Sequence, residues 1–137
     1  MTRSDLKKLA QIRLAEAKIL ATKKAYSGSY YLCGYVIECG LKACIARKTR
    51  KSEFPDKNAA NASHTHNLST LINLAGRGPD LDKKLKKDKE FLVNWTTVKD
   101  WTEDSRYELH NENEAKDLYK AVSDENNGVL KWIKNYW

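Results

Sequence analysis

The chain has 137 residues, 41% hydrophobic and 31% charged, with four Trp, seven Tyr and a net charge of +7. That length predicts a single domain, residues 1–137, burying about two-thirds of the surface its unfolded chain exposes. No uncharged run reaches transmembrane length and the N-terminus carries no apolar signal region, so a membrane span is excluded and a soluble, cytoplasmic protein with no membrane partner is expected.

Ser4 reads as an N-cap, and Leu6, Leu9, Ala10, Ile12, Leu14, Ala17, Ile19 and Leu20 form an apolar stripe that predicts a first helix over residues 5–24. Ser27-Gly28-Ser29 reads as the turn after it. From Ser29 to Arg47, Tyr30, Gly34, Ile37, Leu41 and Ile45 recur at helical spacing while Tyr31, Val36 and Ala43 occupy other faces. A central helix buried nearly all round is the expectation. Glu38 and Lys42 share one face in the favourable acid-before-base order. Two readings of Glu38 stay open: a partner for Lys42 or for a neighbouring helix end, and a supporting group at a site. Gly34 and Gly40, with Cys33, Cys39, Ala43 and Cys44, leave a surface of small residues for another helix to approach. The nearest two of the three cysteines lie about 7 Å apart along such a helix, which predicts reduced thiols.

Residues 49–65 are polar and small apart from Phe54-Pro55 and read as a surface loop with Phe54 anchored in the core. A short third helix is expected over Asn67–Ala75, with Leu68, Leu71, Ile72 and Leu74 inward and Gly76 as its C-cap. After an Arg77-Gly78-Pro79-Asp80 turn, a helix over 81–99 would bury Leu81, Leu85, Leu92, Trp95 and Val98, with Phe91 at its edge. Trp101 to Ser105 reads as a break. The last helical region, Glu112–Tyr136, is expected to be interrupted near Asp124–Gly128, and its aromatic end needs burial in the bundle or in a second subunit. With no strand-like alternation, the fold class is all-α, a four-to-five-helix up-and-down bundle.

Charge is unevenly spread. Residues 102–125 hold eight acids against Arg106, Lys116 and Lys120, a net −5, leaving +12 on the rest. The run from Lys83 to Lys89 places Lys83, Lys84, Lys86 and Lys87 on the outer side of an amphipathic helix, either a solvated face or an RNA-facing or partner-facing patch. Arg47, Lys48, Arg50 and Lys51 form a second basic cluster. His64-Thr65-His66 offers two imidazoles with no acid or Cys beside them to complete a ligand set, so no metal or other cofactor is expected. Arg106-Tyr107-Glu108-Leu109-His110 is the sharpest catalytic candidate. On a helix Arg106 and His110 would share a face, the imidazole serving as general base or acid and the guanidinium holding a phosphate.

Tyr-Tyr-Leu-Cys-Gly-Tyr-Val-Ile-Glu-Cys-Gly-Leu-Lys-Ala, residues 30–43, resembles the core helix of small prokaryotic HEPN-domain proteins. Phe54-Pro55, His66-Asn67-Leu68, Trp101 with Ser105-Arg106-Tyr107, and Gly128 to Ile133 extend the likeness in the same order, over roughly residues 20–137. The resemblance implies an HEPN-like bundle, a homodimer, and a role of the toxin–antitoxin or phage-defence type. Ribonucleases of that family use an Arg-x(4–6)-His motif, which corresponds here to Arg106 and His110 with Glu38 in support, although three residues separate the pair in this chain. The alternative implied is a non-catalytic module that binds RNA, a nucleotide or a partner protein such as a minimal nucleotidyltransferase.

Overall fold

The computed structural model describes residues 1–50 and 57–137; Phe54 and its expected anchoring lie outside them. Among the described residues there are eight α-helices and no strand. They are α1 (Arg3–Thr22), α2 (Tyr26–Arg50), α3 (Lys57–Ala62), α4 (Leu68–Leu74), α5 (Gly78–Lys87), α6 (Lys89–Lys99), α7 (Glu112–Ser123) and α8 (Val129–Lys134). A short 3-10 turn, Glu103–Tyr107, links α6 to α7. The all-α class is as expected.

Helix α2 is the axis of the molecule, packed on by α1, α4, α7, α8 and the 3-10 turn. Its apolar positions run round the whole cylinder, and Cys33, Val36, Ile37, Leu41 and Ala43 are fully enclosed. The two glycines set how near its neighbours come. A Cβ at Gly34 would fall within the Trp101 indole, whereas one at Gly40 would come no nearer than 3.1 Å to Ile133 Cγ2 and 3.6 Å to Leu130 Cδ1. Trp101 therefore lies flat on the helix backbone, tying down the start of the 3-10 turn.

Local chemistry moves several boundaries. Thr2, not Ser4, caps α1, in a capping box with Asp5. The turn after α1 comes at Lys24, with φ of 63°, and Ser27-Gly28-Ser29 already belongs to α2. The polar stretch read as loop contains α3. Gly76, with φ of 72°, ends α4 as its composition predicts. The helix expected over 81–99 begins at Gly78, with Pro79 in its first turn, and breaks in two at Asp88. There the backbone is extended and the Asp88 carboxylate accepts from the Phe91 N–H, at 3.0 Å, to cap α6. The break resets the helical phase: Phe91 is fully buried and Leu92 is 41% exposed, the reverse of the continuous-helix expectation.

The C-terminal aromatics dock within the chain. Trp132, Ile133 and Trp137 are buried, with Trp132 against Phe91 and Lys7 over the Trp137 ring. No helix of the described residues is long and apolar enough to cross a membrane.

Candidate functional site

Glu38 sits on α2 one turn beyond Gly34 and is 1% exposed. Its Oε1 accepts from Lys42 Nζ at 2.9 Å, the pair that the spacing predicts, and also meets His66 Nδ1 at 2.8 Å. The other face of that imidazole turns to Glu103, with Nε2 to Oε2 at 3.0 Å. Lys42, Glu38, His66 and Glu103 thus form one chain of polar contacts across α2, the entrance to α4 and the 3-10 turn. Buried Glu38 Oε2, Trp101 Nε1 and Ser105 Oγ have no partner among the described residues. Asn67 caps α4, its side chain accepting from the Thr70 N–H at 2.9 Å.

Arg106 lies on a short 3-10 turn and His110 beyond its end, so they share no helix face. Arg106 lies in the 3-10 turn, exposed, its Nε donating to the Glu103 carbonyl at 3.2 Å and its guanidinium over Tyr107. It makes no ion pair among the described residues. His110 lies in the extended stretch before α7. Its main-chain N–H donates to Ser27 Oγ at 2.9 Å, and its ring stacks on Tyr30 at 3.6 Å between centroids. Carboxylates face both ring nitrogens, Glu114 at Nδ1 (2.9 Å) and Glu108 at Nε2 (3.2 Å). Glu114 is held below its ordinary value first by the hydrogen bond from His110 and then by the Asn111 N–H. The Tyr30 hydroxyl is pushed up by burial, then by Glu108 and Glu114. An imidazole engaged at both edges has no free nitrogen to take a proton from a ribose hydroxyl. Glu38 reaches toward His66 and supports neither residue directly.

The basic groups converge elsewhere. A cleft of about 300 Å³ is lined by Cys44, Arg47 and Lys48 of α2, Ala75 and Arg77 of the α4–α5 corner, and Asn135 and Tyr136 at the chain's end. Lys48 Nζ reaches the Leu74 carbonyl at 3.4 Å, which ties the α2 cluster to the end of α4, just ahead of Arg77 and α5. Along α5, Lys83, Lys86 and Lys87 are exposed; Lys84 is half-buried, paired with Asp88 at 3.2 Å and lying over Phe91. Sequence reasoning named the two clusters and had no means to join them, because Lys48 and Leu74 are far apart in the chain. Arg77, read as a turn residue, was missed as a site residue.

Among the described residues no three His, Cys, Asp or Glu side chains gather as a metal site. All three cysteines are free and buried. Burial pushes Cys33 up to about 12 and Cys39 and Cys44 to about 11, so none is poised as a nucleophile at neutral pH. These features define the chain as an all-α helical protein with a basic cleft at one end of its central helix and a carboxylate-rich segment nearer the other. No family model, curated protein or solved structure matches it.

Proposed function

We propose that this protein is a non-catalytic, HEPN-type helical module that binds single-stranded RNA. The observation that carries the reading is the meeting of Arg47, Lys48 and Arg77 in one cleft from which the exposed α5 lysines lead away. From Arg77 to Lys87 the helix runs about 15 Å, a length that follows several phosphates of an extended strand. The net charge of +12 outside residues 102–125 attracts a polyanion to the protein generally, and the acidic segment repels it from Arg106 and His110. The HEPN likeness of residues 30–43 supplies the further expectations of a homodimer, a defence-related setting and a minimal nucleotidyltransferase partner. Fluorescence polarisation with single-stranded RNA tests the reading: replacing Lys83, Lys86 and Lys87 together by Gln weakens binding, and Arg106→Gln leaves it nearly unchanged.

A second reading, a metal-independent endoribonuclease acting through Arg106 and His110 with Glu38 in support, rests on one observation. Arg106 is exposed and free of ion pairs among the described residues, so it is open to a phosphate, and the stacked His110 lies four residues beyond it in the chain. For that reading the Glu108 and Glu114 contacts must open before the imidazole can act.

A further inference from the structure

The cleft at the C-terminal end of α2 differs from an open basic groove in ways that bear on what fills it. Arg77 is its fixed member: Nη1 donates to Asp80 Oδ2 at 2.8 Å, and the guanidinium lies over the Tyr136 ring at 4.4 Å from the centroid. Held on one face by the ring and at one corner by a carboxylate, it keeps its remaining N–H donors in a fixed fork of the kind that matches phosphate oxygens. Arg47 and Lys48 face the same space from α2, and among the described residues no acidic side chain lines it, Asp80 meeting Arg77 at its edge. Cys44 at the floor adds no negative charge, because burial holds the thiol neutral even with Arg77, Arg47 and Arg3 pulling the other way. Three cations brought together repel one another, and a dianion relieves that repulsion more fully than a monoanion. The volume, about 300 Å³, is at the lower end of small-ligand pockets, room for one phosphate ester with its sugar.

We propose that this cleft is a site for a terminal phosphate monoester, the end of an RNA strand or a free mononucleotide, and that it discriminates against internal phosphodiesters. The RNA arm of this inference rests on the RNA-binding reading above; the mononucleotide arm does not. A monoester carries about −1.5 to −2 at neutral pH, against −1 for a diester.

The test uses the full chain and one short oligoribonucleotide prepared with a 5′-phosphate, a 3′-phosphate or only hydroxyl ends, followed by fluorescence polarisation. One phosphorylated form binds about tenfold or more tightly than the hydroxyl form, as expected for a charge-assisted contact. Arg77→Gln and, independently, Lys48→Gln abolish that preference while melting near the wild-type temperature, and AMP competes with the phosphorylated oligonucleotide. Equal binding of all three RNAs overturns the terminal-phosphate site and leaves the RNA-binding reading intact, as does a preference that survives both substitutions. If no RNA binds but AMP or inorganic phosphate raises the melting temperature in an Arg77-dependent way, the site stands and the RNA reading falls. Binding of none of these probes overturns both.

Discussion

Gly34→Ala is the sharpest structural perturbation available, because it separates helix propensity from packing at a single atom. In an exposed helix the change would stabilise by about 1 kcal/mol. Here the added methyl occupies the space of the Trp101 indole, which is 2% exposed and has no solvent to retreat into. Overpacking of that kind costs roughly 3 kcal/mol. The net loss is then about 2 kcal/mol, or a fall of about 8 °C in melting temperature for a chain of this size. Gly40→Ala is the milder comparison: its methyl comes within 3.1 Å of the buried Ile133 Cγ2 and 3.6 Å of Leu130 Cδ1, a crowding that the propensity gain partly offsets, so it loses less stability than Gly34→Ala. Thermal unfolding followed by circular dichroism measures both. A Gly34→Ala protein as stable as wild type, or a Gly40→Ala protein that loses as much, would refute the stacking of Trp101 on α2 and with it the anchoring of the segment that carries Glu103 and Arg106.

Other outcomes follow from protonation and from the catalytic reading. Burial raises the folded thiols to about 12 for Cys33 and about 11 for Cys39 and Cys44, from an ordinary 9.0, so their contribution to stability is complete below pH 9 and is lost as pH rises toward 11–12. An alkaline unfolding limb starting above pH 9, with the thiols unreactive toward a disulfide reagent in the native protein and reactive in denaturant, is the expected result; rapid native labelling at pH 8 would contradict it. On the acid side, the hydrogen bond from His110 depresses Glu114 below 4.5, and that from the Phe91 N–H depresses Asp88 below 3.8. Their stabilisation is therefore present above those values and disappears as pH falls through the depressed ones, so urea midpoints hold level down to about pH 5 and drop beneath it. Incubation with RNA in EDTA leaves the RNA intact under the binding reading. Products ending in 2′,3′-cyclic phosphate that vanish in Arg106→Ala and His110→Ala would instead establish the ribonuclease.

The fold was legible where one local pattern fixed it. The apolar residues from Tyr30 to Ile45 wrap a helix on every side, and α2 is enclosed accordingly; the interruption expected near Asp124–Gly128 falls between α7 and α8. It was not legible where two local preferences competed. Around Asp88 the lysines favour continuing a helix while the Asp side chain can stop one and cap the next, and in the structure the cap prevails and turns Phe91 inward. The candidate site was harder to read because its contacts join distant parts of the chain. Glu38 and Lys42 were paired from their spacing, but nothing local brings His66 to Glu38 or Lys48 to the Leu74 carbonyl. Arg106 and His110 would share a face only on a helix, and their segment instead forms a 3-10 turn and an extended stretch drawn onto Ser27 and Tyr30.

The central claim is that the basic cleft and α5, rather than the Arg106–His110 segment, meet RNA, and the salt dependence of RNA binding tests it most directly. If all six cations of the cleft and of α5, Arg47, Lys48, Arg77, Lys83, Lys86 and Lys87, meet phosphates, the slope is about −4 in log affinity against log salt for a single strand, roughly a 300-fold weakening from 50 to 200 mM. Replacing Lys83, Lys86 and Lys87 by Gln should reduce that slope by about 2, with Arg106→Gln leaving it unchanged. A slope unaffected by the lysine substitutions, or one reduced by Arg106→Gln, would contradict the account and move the RNA to the other end of α2.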